Sequence, residues 1–482
     1  MAERVLVALL LAFCVAIYLK KRKQLGLPLP PGPSGLPFLG SVLKWPKGHA
    51  WVEFNEWTKE FGDVVHISMM GNHVVILGKY SSAKLFLDKS TVASRPQFPM
   101  AGDLMGLAAT MVLAPHDPHW KKMRRLTHIF MGKNYVEEFS GVLQSSSKDL
   151  VTMMYKESAK PWNNWDPLRK CIGEQIFTSL AENALDRISY ALIVGSFWVD
   201  AFPTLKYIPP WFPGAHFRRH GADTRHRVFD MVNLPFEHVK KDMSGASCPP
   251  SVTRNMLERL TEEKDTDESG AKWATGSLYG AGMEPVYAAM TTLILAMVLN
   301  PSVQEKVQAE LDGVTGKKRL PTYEDRDELP YFSALLQETL RWHPPIPLGV
   351  PHCTTSDETY LGFSIPQNST VFANLWGIGR DGSIYREPES FRPERFLGPD
   401  AELSPENWVF GFGRRACVGT HYARLSLFIY AASILQTFEI AVPDGITVQP
   451  EFSPNTNSFA LPFPVKFVPR VDWLEALKGS VP

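Results

Sequence analysis

The sequence predicts a mainly α fold with minor β. It reads as one large domain over residues 41–482, behind an N-terminal membrane anchor at 1–24 and a Pro-rich hinge at 25–40. Three observations predict this. Apolar residues recur at spacings of three and four through most of the chain, the period of a helix with one buried face. Runs with strand character are few and short. The chain also opens on fifteen unbroken apolar residues, Val5 to Leu19, followed at once by Lys20, Lys21, Arg22 and Lys23.

Fifteen apolar residues make a short span, and the length also suits a cleaved signal. Two features favour the anchor. The positive cluster follows the apolar run and so holds that end in the cytosol. Cleavage needs small residues where the chain has Ile17, Tyr18 and Leu19. The thin endoplasmic reticulum bilayer accepts a short helix, which predicts a single-pass protein there with its body facing the cytosol. The stretch LPLPPGPSGLP that follows carries Pro28, Pro30, Pro31, Pro33 and Pro37. Proline fixes φ and removes donors, so this is a stiff extended spacer.

From Trp51 the helical patterns are WVEFNEWTKEFG, DPHWKKMRRLTHIFMG, EPVYAAMTTLILAMVLNPSVQEKVQAELDGV and ELPYFSALLQETLRWHPP. Strand-like pieces are VVHISMMGNHVVILG, STVFANLWGI and FPVKFV. The charged stretch HGADTRHRVFDMVNLPFEHVKKDMSGASCPP reads as the nearest thing to a surface linker. Fifty basic and fifty acidic side chains cancel, so no global field draws the chain to nucleic acid. Five cysteines, odd in number and never closer than 64 residues, suggest neither a disulfide framework nor a CxxC zinc site.

One cysteine has an unusual setting. In FGFGRRACVG, residues 410–419, Cys417 lies among three glycines and two arginines, with no His within three positions. A nucleophilic thiolate needs a base, which the fold would have to bring from elsewhere. A metal-bound thiolate needs none. Gly411, Gly413 and Gly419 allow a tight loop, close approach of a planar ligand and N–H groups aimed at sulfur. Arg415 is placed to meet a carboxylate on such a ligand. The apolar helix beginning after Gly419 puts the sulfur near a helix N-terminus, where negative charge is favoured.

Phe410-x-x-Gly413-x-Arg415-x-Cys417-x-Gly419 resembles the haem-thiolate signature of the cytochrome P-450 superfamily. Three further stretches match in order. ETLR resembles the ExxR pair, with Glu338 and Arg341 sharing a helix face, and FRPERF resembles the segment whose arginine, Arg395, closes a structural triad with them. HWKKMRR resembles the helix whose Trp120 and Arg124 reach a haem propionate, and GVPH, with His352, a propionate-contacting strand. Alone, ETLR is more often a solvated ion pair and WKKMRR a basic helix face; together with the Cys motif they are specific. The resemblance covers nearly the whole chain and points to the membrane-bound eukaryotic, fungal type. It implies haem b with Cys417 as axial iron ligand, O2, and a small lipophilic substrate. It also implies electrons from an NADPH–cytochrome P-450 reductase, with cytochrome b5 as an optional second donor. The stretch from Lys160 to Phe197 is shorter than the family's usual length.

The main departure is on the oxygen side. Where the family's central helix carries an acid followed by an alcohol, this chain reads AGMEPV. Ala281 and Gly282 are kept and Glu284 supplies the acid, but Pro285 replaces the alcohol that orients a proton-delivering water. Proline also removes the helical bond to the Ala281 carbonyl and is expected to kink the helix. Three readings stay open: a monooxygenase with a rerouted proton path, a haem-thiolate isomerase or dehydratase using a peroxide or preoxidised substrate, and a non-catalytic haem-binding relic. Candidate pocket residues are Met105, Leu107, Met111, Tyr279, Met283, Tyr287, Ile346, Leu348 and Phe459. Lys121, Lys122, Arg125 and Arg414 are candidate contacts for an acidic reductase.

Overall fold

A computed structural model describes residues 26–470 except 38, 163–164, 166, 170–171, 173–183, 185–186, 194–195, 246–247, 249–250 and 263–267. The anchor expected at 1–24, and most of the short stretch between Lys160 and Phe197, fall outside the described residues. The Pro-rich segment has no helix from 28 to 35, turns where Leu36 pairs with Gly40, and is pinned to strand residues. The His66 N–H donates to the Pro31 carbonyl at 2.9 Å, and Ser364 N–H to Pro28 at 2.8 Å.

Helices dominate: α1 Ala50–Phe61, α2 Pro118–Phe130, α3 Ser140–Glu157, α4 His216–Met243, α5 Glu268–Leu299, α6 Pro301–Thr315, α7 Pro330–Trp342 and α8 Thr420–Thr437. Strands β1 Val64–Met69, β2 Asn72–Leu77, β3 His352–Cys353 and β4 Thr370–Ala373 form one sheet in the order β1-β2-β4-β3. β1 and β2 are an antiparallel hairpin pairing Val64 with Leu77 through Met69 with Asn72. Its two turn residues, Met70 and Gly71, both have positive φ (48° and 86°), the twist a two-residue hairpin requires. β2 runs parallel to β4 in the register Val74–Thr370, so the sheet ties the N-terminal segment to the last third of the chain.

The long predicted helix around EPVYAAMTT divides at Asn300, because Pro301 begins a new one. The strand predicted in STVFANLWGI stops at Ala373, and the Asn374 side chain caps a short helix, Leu375–Ile378. The linker expectation fails. Residues 216–243 form the 28-residue α4, which passes through Pro235 and buries Gly221, Thr224, Val228, Met231, Val232 and Phe236. Small and apolar residues at spacings of three and four were masked there by the surrounding charges. α5 is buried almost throughout, with α4, α2 and α8 packed around it. It continues through Pro285 to Leu299.

Candidate active site

The Cys417 loop is built by backbone. The Cys417 N–H donates to the Phe410 carbonyl at 2.7 Å. Gly411 and Gly413 adopt positive φ, 78° and 54°, and an added Cβ on Gly413 would lie 2.7 Å from the Leu87 carbonyl oxygen. Only glycine fits that turn. Cys417 is exposed, yet burial still pushes its pKa up, against the Gly419 N–H, Arg124 and Thr420, which pull it down. A thiol that is accessible and still desolvated lines a concavity.

Around it the structure gathers Trp120, Arg124, His352 and Arg415. Asp117 caps α2 by accepting from the Trp120 N–H at 2.8 Å. The Trp120 indole N–H then donates to the Met111 carbonyl at 3.1 Å. Arg124, one turn further on, donates to the Ala416 carbonyl beside Cys417. The Arg415 guanidinium stacks on Trp120 at 4.1 Å and donates to the carbonyls of Ala93, Met111 and Ala114. The His352 ring pairs with the Val92 carbonyl at 2.9 Å. Burial, then Arg95, hold its pKa down at about 3, so the ring is neutral. Arg95, which lies in no recognisable motif, completes the group. It donates to the carbonyls of Val112, Val350 and Pro351. Its pKa is lowered by burial, then by Arg415 and Arg124. Among the described residues no carboxylate pairs with Arg95, Arg124 or Arg415. Three desolvated cations held by carbonyls and the Trp120 ring form a site for an anion.

The opposite wall comes from α5. Midway along this mostly buried helix, Ala281 is exposed and Leu278, Tyr279, Gly280, Gly282 and Pro285 are half-buried; of these, Leu278, Ala281, Gly282 and Pro285 fall on one face as a stripe. A Cβ added to Gly282 would meet nothing within 4 Å. α5 and α8 meet at a small internal cavity lined by Ile172, Gly282, Met283, Val286, Tyr422, Ser426 and Tyr430. The stripe therefore lies beside the helix that begins just past Cys417. Of the pocket candidates, Met105, Leu107, Met111, Met283 and Tyr287 are buried in the main core, with Tyr279 and Phe459 packed on it. Tyr287 and Phe459 are in ring contact at 5.5 Å. Ile346 is half-buried, and Leu348 packs instead with the apolar cluster beside the sheet.

Glu284 is not on the stripe. Its side chain is buried, and its Oε1 accepts from Arg169 Nη2 at 2.6 Å and Nε at 3.0 Å. Asn457 Nδ2 reaches Oε2 at 3.4 Å. Neither partner had a sequence signal, since both lie far from Glu284 in the chain and outside any motif.

Glu338, Arg341 and Arg395 do meet, fully buried. Arg341 donates to both Glu338 oxygens at 2.7 and 2.8 Å, and Arg395 Nε lies 3.1 Å from Glu338. The structure adds Glu402, 2.7 Å from Arg395, so two carboxylates face two guanidiniums. Arg341 also donates to the Gly379 and Pro388 carbonyls, and Arg395 to those of Arg386, Glu387 and Ser390.

The sequence model of the cytochrome P-450 family matches residues 30–467. Among similar proteins, the cytochrome P-450 monooxygenase claR of Ampulloclitocybe clavipes is 35% identical, covering 92% of this chain and 86% of that protein. The cytochrome P-450 monooxygenase 208 of Postia placenta is 34% identical over 96% of this chain and 94% of its own. A cytochrome P-450 monooxygenase of Armillaria gallica is 34% identical, with 92% of each chain covered. With the thiol loop, the buried triad and the cation cluster in place, the chain belongs to the cytochrome P-450 family of haem-iron oxidoreductases.

Proposed function

We propose that the protein is an O2- and NADPH-dependent monooxygenase that hydroxylates or epoxidises a small lipophilic substrate, drawing electrons from a partner reductase. The observation that carries this reading is the pairing of an accessible Cys417 thiol with an accessible stripe on α5, beside three desolvated cations that no carboxylate pairs among the described residues. The residues fit haem b: Cys417 would ligate the iron, and Arg95, Arg124, Arg415 and Trp120 would hold the two carboxylates. When bound, haem supplies a thiolate-ligated iron that activates O2.

The chain's own contributions follow from the geometry. The Gly419 N–H, Arg124 and Thr420 stabilise negative charge on Cys417. Ala281 and Gly282 leave room above the slot, and the apolar residues around them exclude water. Glu284 supports reading the chain as catalytic, because a buried carboxylate has been retained beside the slot. Proton delivery here lacks a hydroxyl, since Pro285 stands in the accessible stripe. The Ala281 carbonyl, with no N–H donor at position 285, is an acceptor for a water in its place.

Pro285 also favours a second reading, a haem-thiolate isomerase or dehydratase whose substrate brings its own activated oxygen. One assay separates the two: product formation from lipophilic candidates with and without NADPH and reductase, for wild type and Pro285→Thr, with peroxide release measured alongside. The monooxygenase requires NADPH, and Pro285→Thr lowers its peroxide leakage several-fold by restoring a hydroxyl. Wild-type turnover of a hydroperoxide alone, with no response to NADPH, would establish the second reading instead.

Lys121, Lys122, Arg125 and Arg414 are exposed near the Cys417 loop, the first and third lining a concavity of about 340 Å³ with Trp120, Arg124, His128 and Ile129. This supports docking of an acidic reductase there. Neutralising Lys121 and Lys122 is expected to slow reductase-driven turnover several-fold at low ionic strength and to flatten its salt dependence. Rates unchanged across ionic strength would place the reductase on another face.

A further inference from the structure

The β1–β2 hairpin carries two histidines that face each other. Its register pairs His66 with Val75 and Ser68 with His73, so His66 and His73 are diagonal neighbours on one face. The opposite face, with Val65, Ile67, Val74 and Ile76, is packed against Phe54 and Phe372. The histidine face is apolar at its inner end, where Val64, Val75 and Leu77 are buried, and turns polar towards the exposed tip at Gly71 and Asn72. There His66 Nε2 and His73 Nδ1 lie 2.9 Å apart, with both residues half-buried. Burial, then His73, hold the His66 pKa down at about 4, so its ring is neutral near neutrality. Two neutral imidazoles satisfy each other with one shared hydrogen, yet such nitrogens are also the commonest ligands of a transition-metal ion.

The separation selects the ion. At a metal–nitrogen length of about 2.0–2.1 Å, nitrogens 2.9 Å apart subtend about 90° at the ion, whereas a tetrahedral ion would hold them about 3.3 Å apart. A right angle suits tetragonal Cu2+ or Ni2+ better than tetrahedral Zn2+, and Cu2+ binds most tightly in the divalent series. The geometry points to a Cu2+ site formed by His66 Nε2 and His73 Nδ1, with water completing the coordination from the hairpin tip. On binding, the shared hydrogen moves through solvent to the far nitrogen of its own ring, and each ring turns so that the lone pairs meet beside the line joining them. No electron is transferred. The site lies under the Pro-rich segment. The Ser41 N–H donates to the Ser68 carbonyl at 2.7 Å and the Met70 N–H to that of Leu39 at 3.2 Å. A Cβ on Gly32 would collide with the His66 carbonyl oxygen, so the segment runs flush against β1. An ion joining the two strands braces the platform on which the hinge rests, and it draws on none of the residues assigned to haem.

The test titrates haem-loaded full-length protein with Cu2+ by calorimetry, with glycine as a competing chelator and the reduced carbonyl spectrum as the check on folding. Wild type is expected to bind one Cu2+ that His66→Ala and His73→Ala each weaken by at least about tenfold, since even an outer-sphere loss costs that much. Zn2+ is expected to bind more weakly than Cu2+ at the same site. Cu2+ should also raise the thermal unfolding midpoint of wild type by a few degrees and leave both variants unmoved, because an ion that binds only the native state stabilises it. His216 and His220 stand one turn apart on α4, and His216→Ala controls for capture there; it should leave the binding intact. Should His66→Ala fail to load haem, His73→Ala decides alone. Binding unchanged in haem-loaded His73→Ala, or lost only in His216→Ala, overturns the inference. So does a wild type that takes no Cu2+ from glycine.

Discussion

Cys417→Ser is expected to lose the thiolate-type Soret band of the reduced carbonyl complex, and with it monooxygenation. The loop around residue 417 is closed by backbone bonds, the Cys417 N–H to Phe410 and the positive-φ glycines, none of which uses the sulfur. The variant should therefore fold and still present Arg95, Arg124 and Arg415 to haem. A serine oxygen is harder than a thiolate and a weaker electron donor to iron, so activity should fall by at least about a hundredfold while haem content falls much less. The reduced carbonyl spectrum of purified protein, beside a haem assay, decides it. A variant that keeps the thiolate band would remove Cys417 from the site.

Arg341→Ala is expected to produce little haem-loaded protein. Arg341 and Glu338 are entirely inaccessible, and the guanidinium serves two carboxylate oxygens and the carbonyls of Gly379 and Pro388. Removing one partner of a buried charge pair costs about 3–5 kcal/mol, a large share of a domain's net stability. The loss is sharpened here because Glu338 would keep Arg395 as its only cation and the two carbonyls would lose their donor. Glu338→Gln should be milder, since the amide oxygen can still accept from both arginines at the Oε2 position, although the NH2 would then face the Arg341 Nη2 and Arg392 N–H donors. Thermal unfolding and haem yield measure the order: wild type, Glu338→Gln, then Arg341→Ala. Well-folded Arg341→Ala with altered kinetics alone would contradict a structural role.

Much of this was legible in the sequence because it is local. The period of three and four marked α2, α7 and α8, and the hairpin of β1 and β2 lay in one continuous stretch. The motif residues were legible because their spacing along the chain is itself the constraint: Glu338 and Arg341 share a helix face, and Gly413 must be glycine. What was missed depends on long-range contact. Arg95 joins Arg415 from more than 300 positions away. Arg169 and Asn457 approach Glu284 from opposite sides of the chain, and no local pattern distinguishes them from surface residues. The α4 helix was missed for another reason. Its buried face is made of glycine, threonine and valine as much as large apolar groups, and Pro235 reads as a stop when taken alone. Glu284 illustrates the limit most clearly, since its residue type and position were read but its direction around α5 was not.

The cluster of Arg95, Arg124 and Arg415 has a consequence for how the protein is made. Each guanidinium is desolvated, and Arg95 and Arg415 are further disfavoured by their cationic neighbours; Asp117 favours the charge on Arg415 and Cys417 that on Arg124, so the polypeptide alone carries a partly compensated local charge that its neutral total conceals. A ligand bearing two carboxylates relieves that repulsion as it binds, and anything that binds only the native state stabilises it by mass action. Cofactor uptake is thereby coupled to maturation. The abundance of the folded enzyme is therefore expected to depend on the supply of haem as well as on the rate of its own synthesis, with chains that lack it more open to proteolysis.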